Sequence, residues 1–198
     1  SKGGEFQISL GGERREIAAM FVDIRGFTSL SENLEPEEVV EILNAYLNLT
    51  THAIFKNGGT LDKFIGDATM AVFNAPFDLD DYIYRAVCTA RDIVAGAQDL
   101  EDRMEKRFHK KVNFGIGISC GPAVVGNVGC DFRMDYTAIG DTVNIASRLE
   151  GKAMAREILI SEQVYEALKD RIRVTEKGMI PLKGKAKEIC VYSVEEVL

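Results

Sequence analysis

The order of the predicted strands and helices is the feature that most constrains the fold of this chain. Apolar residues form short runs where strands are expected, and they recur at helical spacing in two longer segments. The resulting order is strand, helix, strand, strand, helix, strand, which is the ferredoxin-like βαββαβ arrangement of an α+β fold. These predicted elements are, in turn, residues 15–24, 35–56, 60–65, 68–74, 80–109 and 112–120.

Further elements follow this predicted core. We expect strands at residues 123–128 and 134–139, a helix at 141–152, a strand at 158–160, a helix at 162–169 and closing strands at 173–179 and 188–194. The sequence opens on Ser1-Lys2-Gly3-Gly4, so we interpret residues 1–12 as a linker remnant and residues 13–198 as one domain.

Composition limits the kinds of partner and the cellular compartment that this chain can be expected to have. The chain has 198 residues, of which 46% are hydrophobic, enough for one well-packed domain. The net charge of −7 argues against a nucleic-acid partner, because binding a phosphate backbone needs clustered Lys and Arg. The cysteines lack CxxC spacing, which argues against zinc, and no apolar run is long enough to span a bilayer. We expect a cytoplasmic protein, or the cytoplasmic module of a larger one.

Two aspartates lie beside glycines at the ends of predicted strands. Asp23 closes the first apolar run, shortly before Gly26, and Asp67 follows Gly66 in a predicted turn between two strands. Either aspartate alone is typical of a strand end or a turn. In a βαββαβ sheet the first strand and the central hairpin are neighbours, so both carboxylates can reach one point. Since Mg²⁺ prefers oxygen ligands, the pair predicts a metal site.

Lys63 and Thr137 indicate a function only when they are considered together, because each alone is typical of an ordinary strand residue. A lysine can only donate hydrogen bonds, whereas a threonine hydroxyl can donate or accept. Adenine offers an acceptor at N1 beside a donor amino group at C6. A guanine pocket must instead accept from N1–H, which commonly requires an acid. The pair therefore favours adenine.

Asn144 and Arg148 are one turn apart on a predicted helix, so both face the same way. A guanidinium group stays charged and presents five donors, which suits charge that develops on a phosphoryl oxygen. The alternative is a helix-surface arginine paired with Glu150 or another acid. Lys183 and Lys185 lie in a glycine-flanked turn, from which a lysine could reach a polyphosphate.

Gly115-Ile116-Gly117 lies on a predicted strand. It is not the GxGxxG motif that opens a helix after a strand, which argues against a Rossmann dinucleotide site. These glycines instead predict that a neighbouring backbone approaches the strand closely.

Three segments together carry a resemblance to a known family. They are FVDIRGFT, KFIGD and YTAIGDTVNIASRLE. In residues and in spacing they resemble the class III nucleotide cyclase catalytic domain, over nearly the whole chain. The resemblance implies the same α+β fold, a ferredoxin-like core with appended strands and helices, for a catalytic domain at residues 13–198.

The resemblance assigns metal and base contacts to four side chains. Asp23 and Asp67, helped by the Ile24 carbonyl, match the positions that bind two Mg²⁺ or Mn²⁺ ions per active site. Lys63 and Thr137 match the positions that select adenine.

The remaining roles concern the ribose and the phosphates. Asn144 matches the residue that orients the ribose, and Arg148 matches the arginine that stabilises the transition state. Lys183 or Lys185 matches the lysine that binds the triphosphate, and the spacing leaves both open. The predicted substrate-binding residues also include Phe27 and Gly66, beside the two aspartates.

Threonine at position 137 separates this chain from the many members that carry aspartate there. It resembles the bacterial-type and soluble branch, in which bicarbonate stimulation is often reported. Guanylate cyclases usually carry glutamate and cysteine at the two selecting positions. The family works as a head-to-tail dimer, with the metal aspartates from one subunit and the other site residues mostly from its partner. We therefore expect a homodimer with two interfacial sites.

The sequence thus predicts an adenylate cyclase, a phosphorus–oxygen lyase that converts ATP into 3′,5′-cyclic AMP and pyrophosphate. The alternatives are a guanylate or mixed-specificity cyclase, a catalytically weak domain that binds nucleotide or mediates dimerisation, and a generic Mg-dependent phosphohydrolase. We expect a covalently linked upstream sensor domain. Its input stays open between bicarbonate, calcium, light and membrane signals.

Overall fold

The strands form one mixed sheet with helices packed against it. The structure is a computed structural model that describes residues 12–181 and 187–198. The strands are β1 (Glu13–Arg25), β2 (Thr60–Ile65), β3 (Ala68–Phe73), β4 (Asn113–Cys130), β5 (Arg133–Ile139), β6 (Ile158–Ser161), β7 (Ile172–Pro181) and β8 (Glu188–Val197). The helices are α1 (Phe27–Ser31), α2 (Pro36–Lys56), α3 (Tyr82–Gly96), α4 (Gln98–Phe108), α5 (Asp141–Lys152) and α6 (Glu162–Leu168). Across the described residues, no helix has the length and apolar character that crossing a bilayer requires.

The sheet order confirms the predicted ferredoxin-like core. Hydrogen-bonded neighbours follow the order β2-β3-β1-β4-β6-β8-β7, and β5 pairs with β4. The elements β1, α2, β2, β3, α3 and β4 form the βαββαβ unit, in which β1 is antiparallel to both β3 and β4. The later elements extend the sheet beyond β4, starting with β6, which is parallel to β4. The α+β class is confirmed.

β1 is covered on both faces and forms the centre of the domain. Met20 packs in a cluster that includes residues of α2 and α3, whereas Phe21 packs in a second cluster that includes Val143 of α5. Because side chains alternate along a strand, Asp23 and Arg25 follow Phe21 onto the α5 face. The polar end of β1 therefore points at a helix that carries other predicted site residues.

α2 covers the opposite face of the sheet. Pro36 opens the helix, and Glu35 and Glu38 form a capping box that satisfies free backbone N–H groups. The buried Tyr46 hydroxyl donates a hydrogen bond to the Val112 carbonyl oxygen at 2.7 Å. Burial raises the pKa of Tyr46, so the hydroxyl stays protonated and keeps this contact.

β4 is longer than predicted. Two strands are predicted at residues 112–120 and 123–128, but Asn113–Cys130 form one strand. Pro122 lies between the stretch that pairs with β6 and the stretch that pairs with β5. A proline is tolerated there, because no second neighbour needs its missing N–H.

The single helix predicted at residues 80–109 is wrong. The structure has α3 and α4, which meet at the buried Ala97 with φ of −79° and ψ of −6°. Leu100 and Met104 follow Ala97 at helical spacing. The apolar period therefore continues through the break, and the sequence pattern does not reveal it. α3 also begins later than predicted, after Asp81, whose φ is 59°.

Candidate active site

Asp23 and Asp67 come together at one end of β1. The register pairs Val22 of β1 with Thr69 of β3, and Asp67 lies in the turn just before β3, where Gly66 has φ of 64°. Burial raises the pKa of Asp67 to about 6, and the neighbouring Asp23 adds to the rise through a hydrogen bond and through charge repulsion. The predicted hairpin turn is confirmed, and two like charges meet where a cation would relieve their repulsion.

The residues of this end fit a magnesium ion. Oδ1 of Asp23 is buried and has no hydrogen-bond partner among the residues that the structure describes. Over residues 12–181 and 187–198, no group of three or more His, Cys, Asp or Glu side chains is placed to hold a metal ion. Two carboxylates suit Mg²⁺, which usually takes one or two and leaves its other positions to water and phosphate.

The residues that flank Asp23 are anchored in the core. The side chains of Ile24 and Phe27 are both buried in the main apolar cluster. Between them Gly26 has φ of 83°, a left-handed conformation that favours glycine, and the chain passes there from β1 into α1. Only backbone atoms of Ile24 and Phe27 can therefore reach a ligand.

Arg25 is a residue of this cluster that the sequence reasoning missed. Its Nη1 donates to Asp23 Oδ2 at 2.9 Å, and its Nε donates to the Ala153 carbonyl oxygen at 2.7 Å. Its Nη2 donates to the Glu150 carbonyl oxygen and lies 3.2 Å from Glu150 Oε1. Arg25 thus ties the aspartate end of β1 to the end of α5. Its place two residues after Asp23, on the same face of a strand, was the available signal.

Glu150 adds a further carboxylate to this end of the molecule. Burial raises the pKa of Glu150 to about 7, the Arg25 charge opposes that rise, and Asp23 adds to it. Glu150 is paired with Arg25, so it does not form the ion pair with Arg148 that the sequence left open.

Lys63 and Thr137 meet at a shared carboxylate, that of Asp62. The Thr137 hydroxyl donates to Asp62 Oδ2 at 2.7 Å, and Lys63 Nζ lies 3.7 Å from Asp62 Oδ1. The sequence reasoning missed Asp62, because regular alternation would place it on the face opposite Lys63. The β2–β3 register shifts between Leu61 and Lys63, so β2 is irregular at this residue.

Asn144 and Arg148 line a surface groove on α5, which confirms that they share a helix face. The groove has a volume of about 620 Å³ and is lined by Asn144, Ser147, Arg148, Gly151 and Lys152. Nε of Arg148 is buried and finds no hydrogen-bond partner in the part of the chain that the structure describes. Arg148 thus lines the groove with a guanidinium group whose buried Nε is not used by a described residue.

The predicted site residues form separate groups in one chain. Neither Asp23 nor Asp67 lines the α5 groove, and neither does Thr137. Lys183 and Lys185 lie outside the described residues. One chain thus presents three surfaces: the aspartate pair, the Lys63 and Thr137 group around Asp62, and the arginine groove on α5.

Residues 12–196 match the family described as adenylate and guanylate cyclase catalytic domain. The chain belongs to this family. It is 35% identical over 187 residues to adenylate cyclase 1 of Rhizobium meliloti (strain 1021), covering 93% of this chain and 28% of that protein. It is 37% identical over 187 residues to an adenylate cyclase of Anabaena cylindrica, covering 91% of this chain and 37% of that protein. The chain therefore spans about a third of the length of these relatives.

Solved structures of cyclases share the fold. The adenylyl cyclase CyaB from P. aeruginosa superposes with a TM-score of 0.88 at 39% identity, over 94% of this chain and 96% of that one. The guanylyl cyclase Cya2 gives a TM-score of 0.86 at 35% identity, over 94% and 95%. The predicted class III cyclase fold is confirmed. Since both kinds of cyclase resemble this chain, membership of the family leaves the nucleotide base open.

Proposed function

We propose that this cyclase domain is an adenylate cyclase, which converts ATP into 3′,5′-cyclic AMP and pyrophosphate. The observation that carries the proposal is the meeting of Asp23 and Asp67, where Oδ1 of Asp23 is buried and has no partner in the described part of the chain. Adenylate cyclases among the relatives support the same activity. In the reaction, the ribose 3′-oxygen forms a bond to the α-phosphorus, the bond from that phosphorus to the bridging oxygen breaks, and the hydroxyl proton leaves to solvent.

Asp23, Asp67 and the Ile24 carbonyl would hold the divalent ions of the site, two Mg²⁺ or Mn²⁺. When bound, such ions lower the pKa of the 3′-hydroxyl and neutralise the polyphosphate. Asp23 lies near the end of the central strand β1 and Asp67 in the turn beside it, so the two acceptors already face one point and would need little reorganisation when the substrate arrives.

Arg148 would stabilise the negative charge that builds on the α-phosphate or on the leaving oxygen. Its Nε lacks a partner within the described residues, so binding the phosphate breaks no ion pair there. Asn144, one turn earlier, would orient the ribose. Lys183 or Lys185 would bind the triphosphate.

The base preference follows from Lys63 and Thr137. Lys63 would donate to adenine N1, and Thr137 would accept from the 6-amino group. Gly66 and the Phe27 backbone would border the nucleotide beside the aspartates. A guanylate or mixed-specificity cyclase is the second candidate, because the guanylyl cyclase Cya2 has nearly the same fold.

We also infer that the domain works as a head-to-tail homodimer with two interfacial sites. The aspartate pair and the α5 groove are separate surfaces of one chain, and a partner could bring them together. Phe132 is 99% exposed at the β4–β5 turn, Val128 and Met134 close to that turn are exposed, and so is Ile139 at the other end of β5. Exposed apolar groups of this kind commonly mark a protein interface.

Incubation with ATP or GTP, followed by chromatography of the products, tests the proposal. With Mg²⁺ or Mn²⁺ present, we expect cyclic AMP and pyrophosphate from ATP, and much less cyclic GMP from GTP. A preference for GTP would replace the proposal by its second candidate, and ADP or AMP as the main product would indicate a phosphohydrolase.

The Asp67→Asn variant is the matched control for this experiment. It keeps the shape of the side chain and relieves the repulsion with Asp23, so the domain should stay folded. We expect cyclase activity to fall to background, because a metal ligand is lost. Substantial remaining activity would refute the metal assignment.

A further inference from the structure

We propose that Asp62 determines the nucleotide preference of this domain by fixing the direction of the Thr137 hydroxyl. Asp62 acts through Thr137, so it is a positioning residue for base selection. The inference rests on the proposed adenylate cyclase function and deepens it.

The hydrogen bond between the two side chains has one possible direction while Asp62 is ionised. An ionised carboxylate only accepts hydrogen bonds, so the Thr137 hydroxyl must be the donor in the 2.7 Å contact with Asp62 Oδ2. The hydroxyl has a single proton, which this contact uses. Thr137 then offers only lone pairs to any other group.

The contact is protected from water. The Asp62 side chain is 2% exposed and Thr137 is 7% exposed. A buried hydrogen bond to a charged acceptor is stronger than a bond between neutral groups, so it holds the hydroxyl in one orientation. Burial raises the pKa of Asp62, and the hydrogen bond from Thr137 and the charge of Lys63 both oppose that rise.

Lys63 is oriented by the same carboxylate. Its Nζ lies 3.7 Å from Asp62 Oδ1, an oxygen that has no hydrogen-bond partner within the described residues. One carboxylate therefore sets a pure donor, Lys63, and a pure acceptor, Thr137, side by side. Adenine presents the complement of this pair, an acceptor at N1 and a donor amino group at C6.

A 6-oxo purine meets this pair with the wrong pattern at both positions. Its O6 would face the lone pairs of Thr137, and its N1–H would face the ammonium of Lys63. Without Asp62 the Thr137 hydroxyl can rotate and donate to O6, which removes one of the two conflicts. Rejection of a base through an unsatisfied polar group is the stronger form of specificity in such pockets.

The test compares ATP with inosine triphosphate, which differs from ATP only at positions 1 and 6 of the base. The ratio of kcat/KM for the two nucleotides is measured within each variant, so partial unfolding cancels. In Asp62→Leu, which replaces a buried carboxylate by an apolar group of similar shape, we expect the preference for ATP to fall on the order of tenfold. If the Asp62→Leu variant does not fold, the same ratio of kcat/KM is measured in Asp62→Ala, which leaves room for a water molecule.

Two controls separate this role from a structural one. In a Thr137→Val background there is no hydroxyl to orient, so replacing Asp62 should lower the ratio much less than it does in the wild-type background, by only the part that acts through Lys63. Glu166→Leu removes an exposed carboxylate on α6, where it is paired with Lys169, and should also leave the ratio unchanged. An ATP preference within twofold of wild type in both Asp62 variants would overturn the inference. An equal fall in the Thr137→Val background would do the same.

The outcome separates this inference from the proposed function. If the wild-type domain prefers GTP or inosine triphosphate over ATP, the proposed function itself fails. If the wild-type domain prefers ATP and the Asp62 variants keep that preference, only the role of Asp62 fails.

Discussion

At the level of single residues, the charges around Asp23 decide how this end of the molecule can work. Asp23 lies between Arg25, whose Nη1 is 2.9 Å from Oδ2, and the Asp67 carboxyl. Arg25 donates to Oδ2, while Oδ1 is buried and no described residue donates a hydrogen bond to it. The side chain is therefore held in place by an arginine and still keeps an acceptor for a ligand.

Replacing Asp23 by asparagine should lower the pKa of Asp67. Burial is the main reason that this pKa is about 6, and the hydrogen bond and the charge of Asp23 add to it. Asp23→Asn removes the charge and replaces one acceptor oxygen by an NH2 donor, so we expect the pKa of Asp67 to fall below 6 but, because burial remains, to stay above that of an exposed aspartate. Carboxyl ¹³C NMR titration of the metal-free protein measures it.

The control for this titration is Asp135→Asn, an exposed aspartate paired with Arg133 on β5. It should leave the pKa of Asp67 unchanged. An unchanged or higher pKa of Asp67 in the Asp23→Asn variant would contradict the proposed contact between the two aspartates.

Site residues with a chemical signature could be predicted from the sequence, whereas those that act through neighbours could not. Asp23, Asp67 and Arg148 have types and spacing that point to metal and phosphate. Arg25 and Asp62 each act on another side chain. The position of Asp62 beside Thr137 depends on an irregularity in β2. Such a shift of register depends on the partner strand, so local sequence does not specify it.

At the level of elements, the contact between α5 and β4 positions the arginine groove. A Cβ added to Gly117 of β4 would overlap the backbone nitrogen of Glu150 and the backbone oxygen of Ala146, both on α5. This confirms the sequence-based expectation that a backbone approaches these glycines. Because backbone atoms cannot rotate away, α5 can lie this close only to a glycine.

Gly117→Ala should therefore push α5 away from the sheet. We expect a loss of about 3 kcal/mol in the free energy of unfolding, the upper end of the usual cost of overpacking. The displacement would also move Asn144 and Arg148, so cyclase activity should fall even where the domain is folded. Urea unfolding followed by circular dichroism measures the stability.

Gly151→Ala is the matched control, since Gly151 is on α5 and an added Cβ meets nothing within 4 Å. Alanine is the better helix former, so this variant should be equal to wild type or more stable by up to about 1 kcal/mol. If Gly117→Ala is as stable as this control, the close packing of α5 on β4 is not required.

Elements that follow from the local pattern of apolar residues were predicted correctly. Features that depend on tertiary packing were not. The βαββαβ order follows from runs of apolar residues and from Asn57-Gly58-Gly59, which ends α2. The break at Ala97 leaves the apolar period intact, and Pro122 is tolerated because of which strands pair beside it. Both features are decided by tertiary neighbours.

At the level of the whole molecule, the arrangement of the three surfaces predicts how two chains share a site. If the active site lies between subunits, the aspartates of one chain serve with the Arg148 of its partner. A dimer of two different variant chains then contains one intact site, provided that one chain has its substitution among the aspartates and the other has it at Arg148. Each chain alone would form only damaged sites.

Mixing Asp67→Asn chains with Arg148→Ala chains should therefore restore cyclase activity. With random pairing, half of the dimers are mixed and each has one intact site, so we expect about a quarter of the wild-type activity. Mixing Asp67→Asn with Asp23→Asn places both substitutions among the aspartates and should restore nothing. Capture of differently tagged chains verifies that mixed dimers form. If they form and the first mixture stays inactive, the aspartates and Arg148 do not act across the interface, and each chain must complete its own site.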